Sequence, residues 1–97
     1  MRPIPSKLRQ EISQDNFMKK CCLCYNQFPE WHHAIIFQGK QLNEKWAIVP
    51  ACKWCHKNRL EELEYVALER ATDEELQRIS KGVNYKQRRD YLDEKYA

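Results

Sequence analysis

Ninety-seven residues allow one domain with a modest core, so a chain of this length gains from a covalent or metal staple. Apolar residues are 42% and charged ones 32% of it, and the longest apolar runs, 34–37 and 46–51, are far too short to span a bilayer. A net charge of +3 does not by itself announce a polyanion partner, and the N-terminal segment lacks the apolar stretch of a secretory leader, so a cytoplasmic protein is expected.

In chain order, residues 1–5 read as an extended arm and Ser6 as the cap of a short helix carrying Leu8, Ile12 and Phe17 at helical spacing, closed by Asp15 and Asn16. Cys21-x-x-Cys24 forms a first tight turn. Pro29 bars a helix, and the aromatic and β-branched content of 31–37 predicts a strand. A connection around Gly39 to Glu44 leads to a second strand over 45–50, which makes a hairpin. Cys52-x-x-Cys55 follows at once. From 53 to 70, Leu60, Leu63, Ala67 and Ala71 share one face, which predicts a helix of about five turns. Thr72 and Glu75 make a capping box for another helix that ends at Gly82, and Asn84 caps a last one through Tyr85, Tyr91, Leu92 and Tyr96. The expected fold class is α+β: one domain over 1–97, with a core at 21–71, an arm and helix at 1–20 and C-terminal helices at 72–97. Trp31, Trp46 and Trp54 alternate with aliphatics and are expected to pack inside.

The doubled Cys-x-x-Cys is the strongest chemical signal. Two tight turns that each present two sulfurs supply the four thiolates of a tetrahedral structural zinc site at Cys21, Cys24, Cys52 and Cys55. The paired spacing and the odd count of 5 cysteines argue against a disulfide framework and leave Cys22 over as a small packed residue. A closed four-sulfur cage does no chemistry. The 3 histidines of the chain, His32, His33 and His56, all lie next to it in sequence, and neutral imidazoles there can hold a second divalent ion or take a proton from water.

Cys21-x-x-Cys24, Trp31-His32-His33-Ala34, Asn43 and Pro50-Ala51-Cys52-x-x-Cys55-His56 together resemble the HNH nucleases, and in outline the small phage-borne HNH proteins. The resemblance spans 21–60 and implies a zinc-stapled ββα-metal, treble-clef-like core, flanked here by an N-terminal helix and two C-terminal helices. It implies a metal-dependent endonuclease that hydrolyses DNA phosphodiester bonds, with His33 as general base, His32 and His56 on the catalytic ion, and Asn43 orienting the base. Two imidazoles where many members place an Asp or Asn oxygen favour Mn2+, Ni2+ or Zn2+ over Mg2+, unless Glu30 joins the site. The DNA would be met mainly at its phosphates, by basic clusters such as Lys19 and Lys20 or Arg88 and Arg89, and a homodimer would cut two strands most simply. The rival expectation is a non-catalytic zinc module that binds nucleic acid or a protein while the histidines are structural.

Overall fold

The computed structural model describes residues 4–37, 39–79 and 84–96, which form an α+β arrangement of five helices and two small antiparallel ribbons. Helix α1 (Ser6–Ser13) has Pro5, not Ser6, at its cap position: Arg9 N–H donates to the Pro5 carbonyl at 2.9 Å, while Ser6 is already helical. Proline is suited to a helix start because it has no N–H to satisfy. The helix buries Ile12 against Met18 and Ile48, with Leu8 and Trp31 at the rim. Asp15 then caps a 3-10 turn over Asn16–Lys19 by accepting from the Phe17 amide at 3.0 Å. Its other oxygen faces Arg70 at 3.4 Å, and the Arg70 guanidinium lies 3.7 Å from the Phe17 ring, which ties this N-terminal segment to a distant helix.

Strand β1 (Glu30–His33) pairs with β4 (Ile48–Ala51) in the register Trp31↔Pro50, His32↔Val49 and His33↔Ile48. A smaller ribbon joins β2 (Ile36–Phe37) to β3 (Lys40–Gln41) around Gly39 at φ +77°, a left-handed value natural to glycine. The predicted strands at 31–37 and 45–50 are therefore shorter and interrupted. Residues Lys45–Ala47 wind into a 3-10 turn, closed by the Ala47 amide on the Glu44 carbonyl at 3.0 Å, because this sends Trp46 and Ala47 into the core.

The single helix expected over 53–70 is two: α2 (Lys53–Asn58) and α3 (Leu60–Arg70), broken at Arg59, whose φ −130° and ψ 43° are not helical. The break re-aims the stripe. Leu63, Ala67 and Leu68 are fully buried, while Leu60, expected inside, is 52% exposed. Trp54 is also a correction: it stands 64% exposed on α2, whereas Trp46 is buried. The capping box forms as expected at the start of α4 (Asp73–Arg78), with Thr72 N–H donating to Glu75 at 2.8 Å and Glu75 N–H to the Thr72 hydroxyl at 3.1 Å. The stop expected at Gly82 lies outside the described residues. Asn84 caps α5 (Tyr85–Tyr96) by accepting from the Gln87 amide at 3.1 Å.

Helices α3, α4 and α5 bury Leu63, Leu68, Leu76 and Leu92 with Val49 and Ala51 of β4, each large side chain contributing about 1.5–3 kcal/mol. The outer seam between α3 and α5 is polar: Arg88 makes two bonds of 2.9 Å to Glu64, and Lys95 and the Tyr96 hydroxyl both donate to Glu61. The Tyr85 hydroxyl reaches the Ile36 carbonyl at 2.8 Å. Tyr85 and Tyr96 thus pack and bond within the fold; Tyr91 is half exposed. No helix among the described residues is long and apolar enough to cross a membrane.

Candidate metal centre

The two turns that carry the cysteines are built by backbone bonds. Tyr25 N–H donates to the Cys21 carbonyl at 2.9 Å and Cys21 N–H to the Asn26 carbonyl at 2.9 Å, with Tyr25 in the left-handed region at φ 64°. Cys22 N–H donates to the Pro50 carbonyl at 3.0 Å, so the first turn is pinned to β4. The second turn is the N-terminus of α2, where the Cys52 sulfur caps the helix by accepting from the Cys55 amide at 3.5 Å. The four sulfurs lie within 4.8 Å of one another, and those of Cys24 and Cys52 are 3.5 Å apart. A zinc ion with bonds of about 2.3 Å to a sulfur tetrahedron needs edges of roughly 3.8 Å, so these residues fit the metal.

The acidities of the four thiols are split, with Cys21 and Cys52 lowered and Cys24 and Cys55 raised. Burial alone would raise Cys21, but amide donors from Cys24, Cys52 and Leu23 outweigh it and bring its pKa to about 6. Burial pushes Cys55 up to about 12, so a metal must displace its proton. Burial pushes the Cys22 thiol up to about 11, and it packs against the main core, as the sequence suggested. Among the described residues, these four cysteines are the one group of three or more Cys, His, Asp or Glu side chains with ligand atoms this close together.

The three histidines divide. His32 on β1 and His56 on α2 come together, their ring centroids 4.3 Å apart and tilted by 50°. Glu30, two residues before His32 and so on the same face of the strand, places a carboxylate oxygen 4.0 Å from His56 Nδ1. Burial drives the His32 pKa down to about 4, with His56 and His33 adding to the effect, so the ring is neutral at physiological pH and its lone pair is available. His33 leaves the strand toward the opposite face. It is 5% exposed and its Nε2 lies 2.8 Å from Asn43 Oδ1. An amide oxygen only accepts, so Nε2 carries the proton and Nδ1 is the basic nitrogen.

The structure therefore gathers His32, His56 and Glu30 in one place and His33 with Asn43 in another. Sequence reasoning missed the exposure of Trp54, for which a signal existed: on a continuous helix it falls half a turn away from the Leu63 face. The arginines of α5 are taken up by carboxylates, since Arg88 pairs with Glu64 at 2.9 Å and Arg89 with Asp73 at 2.6 Å. Compared with models of protein families, with curated proteins and with solved structures, the chain matches none.

Proposed function

We propose that this protein is a metal-dependent endonuclease of the HNH kind, with a ββα-metal core in which a structural zinc on the four cysteines holds β1, β4 and α2 in place. The observation that carries the reading is the contact of the His32 and His56 rings, brought from separate elements, with a Glu30 carboxylate oxygen 4.0 Å from His56 Nδ1. Two imidazoles and a carboxylate suit Mn2+, Ni2+ or Zn2+ better than Mg2+. When bound, such an ion would neutralise charge on a scissile phosphate and on the departing 3′ oxygen.

The chain's own groups do the rest. The Glu30 carboxylate, 4.0 Å from His56 Nδ1, would join the two imidazoles in holding the ion. His32 stays neutral through burial and needs no deprotonation to bind. Asn43 orients the His33 ring; to take a proton from the water that attacks phosphorus in line with the P–O3′ bond, His33, almost wholly buried on the other face of β1, must first turn toward the His32 side. The bond breaks, and the 3′ oxygen leaves with a proton from solvent.

A second reading is favoured by one fact: His33 is almost wholly buried with a satisfied partner, as a structural histidine in a non-catalytic zinc module would be. Plasmid nicking separates the two. The endonuclease reading requires nicking with Mn2+ or Ni2+ that falls by roughly 10²–10⁴ in His33→Ala at one zinc per chain. Intact zinc and fold with no cleavage under any divalent metal would leave the module.

A further inference from the structure

Part of the positive charge of this protein is neutralised within the fold and part is not. Arg70, Arg78, Arg88, Arg89 and Lys95, which lie on α3 to α5, are each ion-paired with a carboxylate. Among the described residues Lys7, Arg9, Lys19, Lys20, Lys40, Lys53, Lys57 and Lys86 enter no ion pair, and four of these, Lys19, Lys20, Lys53 and Lys57, flank the cysteines; Lys19 also donates to the Ser13 carbonyl at 3.1 Å. All four are exposed, and all lie beside the two cysteine turns.

In or next to the same turns are the most exposed aromatic rings of the described residues. Phe28 is 86% exposed, Tyr25 73% and Trp54 64%. Tyr25 follows Cys24 and Trp54 follows Lys53 after Cys52, and the Cys24 and Cys52 sulfurs are 3.5 Å apart, so these rings are carried by two turns that meet at the cage. Within α2, Trp54 and Lys57 are three apart and Lys53 and Lys57 four apart, which places ring and ammonium groups on one exposed face. On the other side of Tyr25 a cleft of 490 Å³ has Phe17, Cys22 and Tyr25 in its lining with Lys19 and Lys20, a size within the usual range of about 300–1,000 Å³ for ligand pockets.

Exposed rings interleaved with unpaired lysines are a poor match for a B-form duplex, whose base faces are hidden in the stack, and a good one for a strand with open bases. We infer that the cysteine-turn face binds unpaired DNA, with Trp54 and Tyr25 stacking on bases while Lys19, Lys20, Lys53 and Lys57 meet the phosphates. This deepens the endonuclease reading by naming the strand its site would meet: a single-stranded tail, flap or gap. Binding itself needs no hydrolysis.

The test is fluorescence anisotropy of a labelled 15-nucleotide oligo-dT and of a duplex of equal length, on zinc-loaded protein with no other metal added. The single strand should bind at least tenfold more tightly than the duplex. Trp54→Ala should weaken it by about tenfold at unchanged zinc content and circular dichroism, and Trp54→Phe should restore most of the loss, since a stacking ring remains. The double variant Lys53→Ala/Lys57→Ala should flatten the plot of log K against log salt by roughly 1.4, about 0.7 for each lost phosphate contact. Equal affinity for duplex and single strand, or a Trp54→Ala variant within twofold of the parent, overturns the inference. Its fate is separable from that of the enzyme reading. Tight single-strand binding with no cleavage would refute only the latter, and duplex nicking indifferent to Trp54 only the former.

Discussion

Removing zinc should collapse the fold, and the size of the effect follows from how much of the structure the cage holds. Cys21 and Cys55 are fully buried and Cys52 nearly so, yet they form a cluster of their own, with only Leu23 packed against it from the partly buried residues. The first turn is otherwise anchored to β4 by one bond, from Cys22 to Pro50. Without a cation the four sulfurs, at most 4.8 Å apart, have nothing to bind them together and offer almost no apolar contact in exchange. A structural zinc contributes about 10–16 kcal/mol in small zinc domains, as much as the total stability of about 5–15 kcal/mol of an ordinary one. Even a loss of roughly 5 kcal/mol would lower the melting temperature of a chain this size by about 20–40 °C. Thermal melts followed by far-ultraviolet circular dichroism, on zinc-loaded protein and on protein stripped by a chelator, measure this directly. A stripped midpoint within about 5 °C of the loaded one would refute the reasoning, because the cage would then be a passenger on a core that stands without it.

Three further outcomes are expected. Leu63→Ala should cost about 2–5 kcal/mol in urea unfolding, whereas Leu60→Ala, on the same predicted stripe, should change stability by no more than about 0.5 kcal/mol. Asp15→Ala should cost about 1–2 kcal/mol at neutral pH through loss of the cap. Asp15 is held below its ordinary 3.8 by the Phe17 amide and by Arg70, so its contribution is full above that value and fades as pH falls through the lowered pKa. The deficit of Asp15→Ala relative to the parent should therefore shrink in acid; a deficit that grows would contradict it. Finally, Asn43→Ala should reduce nicking by roughly 10–100-fold without loss of zinc, since it removes the group that orients the His33 ring.

The features legible in the chain were those fixed by local chemistry. Two Cys-x-x-Cys turns, the Thr72–Glu75 capping box and the Asn84 cap each depend on residues within a few positions of one another, and each forms as expected. What the pattern could not show was decided by long-range packing. The apolar stripe from Leu60 to Ala71 continues a helix on paper, but nothing in periodicity marks Arg59 as the residue that breaks it. Trp46 satisfies a strand pattern and a 3-10 turn equally well, and the demand to bury it chose the turn. The basic clusters were visible as counts only. Glu61 and Glu64, which occupy Arg88 and Lys95, come from a helix more than twenty residues earlier, so only the folded chain separates neutralised charge from charge left over. At the site, the rings of His32 and His56, expected on one ion, lie in contact with centroids 4.3 Å apart, and Asn43, expected to orient His33, bonds its ring, which is almost wholly buried.

The most direct test is a crystal of the zinc-loaded protein soaked in Mn2+, with anomalous scattering recorded at the manganese edge. A single ion bonded to both His32 and His56, lost in His56→Ala while the zinc remains, is the expected result. An unbound pair of rings in contact, or manganese bound elsewhere on the chain, would contradict the proposal that these imidazoles hold a catalytic metal.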